Sequence, residues 1–276
     1  MVVGISLILV ISLYAATRNQ IFGIRKFKPI ATQATPEGAS FSPDSLLIPA
    51  KKRLAPDQAA RLDLLEHSIT RGDVKNQQLQ IYQHLARFWK DTARVFGPYA
   101  WYTAEAARLE NSEKSLTFAA RLFLDDLGNV EKPTLRQWEA FQAKDLFERS
   151  LKLDPANDSS KVGLGAVYLY GGIAMPMQGI GMIREVVERD STNIYAQMTL
   201  GQASVASGQL DKAIDRFQAV IRLKPDNLEA ILMLADVYEQ MGNKTEAVKW
   251  YGKSLPLIKI SALKTEVEAR IAELKK

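Results

Sequence analysis

Cysteine is missing from this chain altogether and histidine nearly so, with His67 and His84 the only two in 276 residues. No cysteine means no disulfide, no thiolate nucleophile, no iron–sulfur cluster and no cysteine-based zinc site. The compartment stays open, because a reducing cytoplasm and a bacterial envelope both hold cysteine-free proteins. The two histidines stand seventeen residues apart, in LLEHSIT and IYQHLARFW, outside any His-Glu-x-x-His spacing. They read as ordinary helix residues rather than metal ligands or a general base. No metal site is expected.

A charge surplus is missing from most of the chain as well. The formal net charge is +5, but residues 1–53 hold seven basic groups and two acidic ones, leaving 29 of each over 54–276. A domain that neutralises phosphates carries its own surplus of Lys and Arg, so nucleic acid is not an expected partner. Phosphate-cradling fingerprints are absent too. Gly163-Leu164-Gly165 and Gly179-Ile180-Gly181 stand alone, with neither the rest of a glycine-rich motif nor a strand before them. Carboxylates are many but lie among basic residues on polar faces, the pattern of solvated helices. Trp89, Trp101, Trp138 and Trp250 are spaced as interior residues. The expectation is a protein that is not an enzyme, with no cofactor and no small-molecule substrate.

Apolar residues make up 47% of the chain, ample for a buried core. Val2 to Ala16 (VVGISLILVISLYAA) carries no charge, and apolar residues resume at Ile21, Phe22, Ile24 and Phe27. A helix over 1–24 would reach about 36 Å, enough to cross a hydrocarbon core with Arg18 snorkelling. A cleaved signal peptide and a buried core segment are the rival readings. The anchor is preferred because nothing basic precedes Val2 and a cut after Ala16 would put Tyr14 at the third residue before it. Arg18, Arg25, Lys26 and Lys28 follow the apolar run, so the positive-inside rule places the body in the cytoplasm. Anchored bacterial proteins of this layout also face the periplasm, so the side stays open. The expected location is a single pass in a bacterial inner membrane. Residues 25–56 hold five prolines and a basic start and read as a linker.

From Asp57 onward apolar residues recur at helical spacing, broken by Gly, Asn or Pro, with no convincing strand pattern. The fold class is all-α. A period then emerges. Leu200-Gly201, Gly208, Ala213 and Phe217 are followed 34 residues later by Leu234-Ala235, Gly242, Ala247 and Tyr251. Leu164-Gly165, Tyr168 and Gly172 match the first helix one unit earlier at a spacing of 36, while Ile183 and Ser191 match Phe217 and Pro225 at 34. Ala143, Phe147 and Pro155 repeat the second-helix pattern earlier still.

These positions resemble the tetratricopeptide repeat. Small residues at Gly201, Ala213, Ala235 and Ala247 let antiparallel helices approach, and Phe217 or Tyr251 fills the space between neighbours. The resemblance implies a right-handed α–α superhelix, a tetratricopeptide solenoid, here behind an N-terminal transmembrane helix. Residues 158–261 read as three units, 57–157 as a helical region with degenerate units, and 262–276 as a capping helix. The unit containing GGIAMPMQGIG resembles the longer Sel1-like variant.

In this family the first helices line a concave groove. The groove positions carried over by the resemblance include Val162, Leu169, Tyr170, Tyr195, Met198, Gln202, Val205, Glu229, Leu232, Asp236 and Gln240. None is Lys, Arg or Asn, so the clamp that grips a terminal carboxylate is absent, and with it the cochaperone reading. An apolar, partly aromatic middle and an acidic end with Glu239 suit a peptide with apolar anchors and a basic flank. All these groove positions are expected to stand exposed. The functional expectation is a membrane-tethered scaffold that binds a protein or peptide partner, in bacterial envelope assembly or organisation. The alternative is a self-associating spacer without a separate ligand, its groove filled by a C-terminal helix or a neighbouring protomer.

Overall fold

The computed structural model describes residues 41–69 and 75–276. The anchor read over 1–24 and the first half of the linker, residues 25–40, lie outside them. Among the described residues there are thirteen α-helices and no strand, and no helix is long and apolar enough to cross a membrane. They form two compact units, one ending at Met182 and the other running from Ile183 to Lys276.

The first unit comprises α1 (Asp44–Lys51), α2 (Pro56–Ile69), α3 (Lys75–Arg87), α4 (Phe96–Glu110), α5 (Glu113–Asp126), α6 (Pro133–Leu153) and α7 (Asp158–Tyr170), with the start of α8 (Pro176–Arg189). Helix α3 runs into a π-helical stretch, Phe88–Ala93, which closes on Arg94 at φ 55°. Helices α3 and α4 pack as one antiparallel pair and α5 and α6 as the next. Where α7 meets α8, a β-carbon on Gly179 would strike the carbonyl oxygen of Gly165, so only glycine permits this approach.

Helix α1 corrects the linker reading. Residues 44–51 are helical, Ala50 is buried, Leu46 packs against Gly97, and the Phe41 ring lies 5.3 Å from that of Trp138. Proline-rich composition signalled an extended tether, but the DSLLIPAK stretch has apolar side chains to bury and a neighbour to bury them on.

Three helices of this unit share a buried knot of hydroxyls. Thr117 Oγ1 lies 2.9 Å from Ser150 Oγ and 2.7 Å from Ser160 Oγ, and Ser150 and Ser160 are 2.8 Å apart. Each hydroxyl thereby finds a partner away from water, as buried polar groups must.

The second unit holds the rest of α8, then α9 (Ile194–Ala206), α10 (Leu210–Leu223), α11 (Leu228–Gln240), α12 (Lys244–Ser254) and α13 (Ser261–Leu274). Helices α9 with α10, and α11 with α12, form antiparallel pairs. Their core joins Phe217, Leu232, Leu234, Val237 and Tyr251 to Leu263 and Val267 of α13, so the last helix closes the apolar end of the unit.

The helices start on a recurring signal. Asn157, Asn193 and Asn227 each accept, through the side-chain oxygen, the N–H of the residue three further on, at 2.8, 3.0 and 2.9 Å. Such N-caps satisfy a donor that the helix itself leaves unpaired. Gly208 and Gly242, at φ 74° and 76°, turn the chain between the helices of a pair.

Candidate functional site

The face of the second unit formed by α9, α11 and α13 presents half-buried side chains of mixed chemistry. On α9 these are Tyr195, Gln202 and Val205; on α11, Asp236 and Glu239 are half-buried while Glu229 and Gln240 are exposed. The two helices are tied directly, since Gln202 Nε2 donates to Glu229 Oε1 at 3.2 Å and lies 3.8 Å from the Met233 sulfur.

The acidic end is held by groups that the sequence reading missed. The Tyr251 hydroxyl donates to Asp236 and lies 3.1 Å from Glu239 Oε2. Arg270 of α13 grips Glu239 with both arms of its guanidinium, Nε to Oε2 at 2.8 Å and an Nη to Oε1, and reaches Glu273 at 2.5 Å. A fork-to-carboxylate pair of this kind is the stronger form of ion pair. Its bonds to Glu239 push the Arg270 pKa up. Burial, reinforced by Asp236 and Glu239, pushes the Tyr251 hydroxyl up, so it stays a donor. Burial and nearby Asp236 also raise Glu266. The signal for Arg270 was available: α13 carries Leu263, Val267, Ile271 and Leu274 on one stripe, and Arg270 sits beside it.

The expectation that the groove positions stand exposed is corrected at five of them. Val162, Leu169 and Tyr170 are buried in the first unit, and Met198 and Leu232 are buried in the second. The cause is helix composition. Helix α7 is buried at every position from Val162 to Tyr170, and α11 from Ala230 to Ala235, as helices apolar on all sides are. Periodicity marks a face as apolar without saying whether protein already covers it. Tyr195, Gln202, Val205, Glu229, Asp236 and Gln240 belong to one unit with accessible surface, whereas Val162, Leu169 and Tyr170 lie in the other.

Elsewhere, His67 Nδ1 lies 2.7 Å from the Asp63 carbonyl oxygen of its own helix. Among the described residues no group of three or more His, Cys, Asp or Glu is placed to hold a metal ion.

Comparisons with known proteins bear on the fold. The tetratricopeptide repeat family model matches residues 204–256, the stretch from α9 to the 3-10 turn after α12. Mitochondrial import receptor subunit TOM70 of Homo sapiens is 26% identical over 117 residues, and the protein of Rattus norvegicus matches equally. The match takes in 42% of this chain and spans 19% of the length of these curated relatives. Among solved structures, a tetratricopeptide repeat protein from Parabacteroides merdae superposes with TM-score 0.56 at 13% identity, over 84% of this chain and 86% of its own. A thermophilic tetratricopeptide protein of Thermus thermophilus gives TM-score 0.50 at 16% identity, over 73% and 98%. The fold is therefore an all-helical array of the tetratricopeptide type.

Proposed function

We propose that this chain is a membrane-tethered tetratricopeptide scaffold that binds a protein or peptide partner and catalyses no reaction. The observation that carries this reading is the α9–α11–α13 face, which overlaps the repeat-matching stretch 204–256 at Val205 and along α11, and where half-buried Tyr195 and Val205 stand beside Glu229, Asp236 and Glu239. An amphipathic face of this kind suits a ligand with apolar anchors and a basic flank. The relatives' designation as an import receptor subunit fits a protein-binding role. The membrane tether is residues 1–24, read from their apolar composition, and the setting is a bacterial inner membrane with a task in envelope assembly or organisation. The positive-inside count favours a cytoplasmic body, which a topology reporter fused after Lys276 would decide.

The test is capture of partners by the full chain, run side by side with Tyr195→Ala. A buried aromatic anchor contributes about 1–3 kcal/mol, so the variant should bind a captured partner at least several-fold more weakly. Equal binding by both chains rejects this face as the partner site.

The spacer alternative draws support from the burial of Val162, Leu169 and Tyr170, which removes these apolar side chains of α7 from any ligand. It requires a stable homo-oligomer, visible by light scattering.

A further inference from the structure

Charge is segregated along the second unit. Residues 183–243 hold nine acids and six bases, whereas 244–264 hold five lysines and one acid, Glu246. All five lysines are exposed. Helix α12 ends at Ser254, the 3-10 turn Leu255–Leu257 follows, and buried Ile258 fixes the chain to the core before α13 starts at Ser261. The two residues between, Lys259 and Ile260, are left on the outside. Ile260 is 66% exposed, more than any other large apolar side chain described in this unit. Lys264 stands one turn along α13, its backbone N–H donating to the Ile260 carbonyl at 3.1 Å.

The lysines at this corner are uncommitted. Glu246 accepts from Lys249 Nζ at 2.8 Å and from Trp250 Nε1 at 3.1 Å, which leaves Lys253, Lys259 and Lys264 with no carboxylate partner among the described residues. Of the acids that follow, Glu266 lies close enough to Asp236 to be raised by it, and Glu268 is exposed one turn beyond Lys264. An exposed aliphatic side chain among free cations matches a bilayer that carries anionic lipid. The aliphatic group gains by entering the headgroup boundary, the ammonium groups meet phosphate, and the lysine stems are themselves apolar. Single-stranded nucleic acid fits less well. It stacks its bases on open aromatic faces, and here Lys253 Nζ already stands 3.9 Å over the Trp250 ring.

We propose that the corner between α12 and α13 is a docking surface for an anionic bilayer, with Ile260 entering the headgroup boundary and Lys253, Lys259 and Lys264 meeting lipid phosphates. The surface uses none of the residues of the partner-binding face and rests neither on the reading of that face nor on residues 1–24. Each lysine near an anionic surface is worth about a fivefold change in partitioning, so the three together amount to about a hundredfold. The attraction falls off within a Debye length and is screened by salt. Docking therefore depends on lipid composition: the corner engages where anionic lipid is present and lets go where it is not.

The absence of cysteine makes the test direct. In the full chain, a fluorescent label is placed on Ser261→Cys at the corner or on Lys212→Cys, exposed on α10. The chain is mixed with vesicles that hold a headgroup-quencher lipid, made of phosphatidylglycerol and phosphatidylcholine or of phosphatidylcholine alone. In the anionic vesicles the label at 261 should be quenched several-fold more than the label at 212. In the neutral vesicles, or at high salt, the two should be quenched alike. Lys253→Gln, Lys259→Gln and Lys264→Gln together should remove the difference, and Ile260→Ser should reduce it, with the thermal melt close to wild type in each. Equal quenching at the two positions in anionic vesicles, or quenching at 261 that ignores lipid charge, overturns the proposal. A label response to oligothymidylate and not to vesicles overturns it in favour of nucleic acid. None of these results bears on the partner reading, which is decided by Tyr195→Ala against a captured partner.

Discussion

The Phe217 ring occupies the space in which a β-carbon on Gly201 would stand: a methyl built there would lie 2.5 Å from Cε1. Helices α9 and α10 meet at this point with nothing between backbone and ring, and both residues sit in the repeat pattern. The same relation recurs in the first unit, where Gly163 lies against the ring of Phe147.

Gly201→Ala should therefore destabilise the protein. Alanine gains about 1 kcal/mol over glycine in a helix interior, but overpacking a buried contact costs about 1–3 kcal/mol. A net loss is expected because a fully buried ring has no room to withdraw. Gly181→Ala is the control, since a β-carbon there meets nothing within 4 Å and α8 is helical around it. That variant should gain up to about 1 kcal/mol. Urea unfolding of the two variants in parallel measures both signs, and a stabilised Gly201→Ala would mean the α9–α10 contact is looser than described.

Glu139 on α6 is 2% exposed, and its Oε2 has no hydrogen-bond partner among the described residues. Burial pushes its pKa up to about 8, Asp126 adds to the rise and Arg136 opposes it. The folded state holds this proton more tightly than the unfolded chain, so the stability it contributes is fully present below the ordinary carboxylate pKa. It is lost as pH rises from there through about 8. Each tenfold difference in proton affinity between the two states corresponds to about 1.4 kcal/mol, so Glu139→Gln should be distinctly more stable than wild type at pH 9 and nearly equal at pH 4. Melting temperatures across that range decide it; parallel curves for the two proteins would refute the assignment.

Arg270 connects the last helix to α11 through Glu239, with side-chain exposures of 17% and 10%. Arg270→Leu keeps the aliphatic bulk but leaves Glu239 facing Asp236 and Glu266 with its fork partner gone. The expected cost is about 2–4 kcal/mol, because orphaning one member of a largely buried pair is worse than removing both. Glu239→Gln together with Arg270→Leu should recover part of the loss, and a double-mutant cycle by denaturant unfolding gives the coupling. Strict additivity would place the two side chains apart in solution.

Residues 41–53 act as part of the first unit. Lys51 Nζ donates to Glu66 Oε2 at 2.6 Å, the Phe41 and Trp138 rings are in contact, and Ala50 is buried. A chain beginning at Leu54 should melt below one beginning at Phe41, and Phe41→Ala alone should cost about 0.5–1.5 kcal/mol for the lost aromatic contact. Identical melting of the two shortened chains would return this stretch to linker status.

The regular part of this protein was legible in its residues. Period, helix class, the small-to-aromatic pairs and the turn glycines all follow from local chemistry: each repeat needs a close approach at Gly201 and Ala213, and left-handed turns at Gly208 and Gly242. The asparagine caps at 157, 193 and 227 carried the same period and could have been read with it. What the residues alone could not decide was which apolar faces remain open. Val162 and Tyr195 both fall on groove positions of their helices, yet one is sealed and the other half-accessible. Nor could they show that Arg270 would meet Glu239, thirty-one residues away, and take the acidic end into an internal ion pair. A helix's own periodicity depends on neighbours three and four positions along the chain. Coverage and charge pairing depend on which element folds back against it, and that is settled only when the whole unit packs.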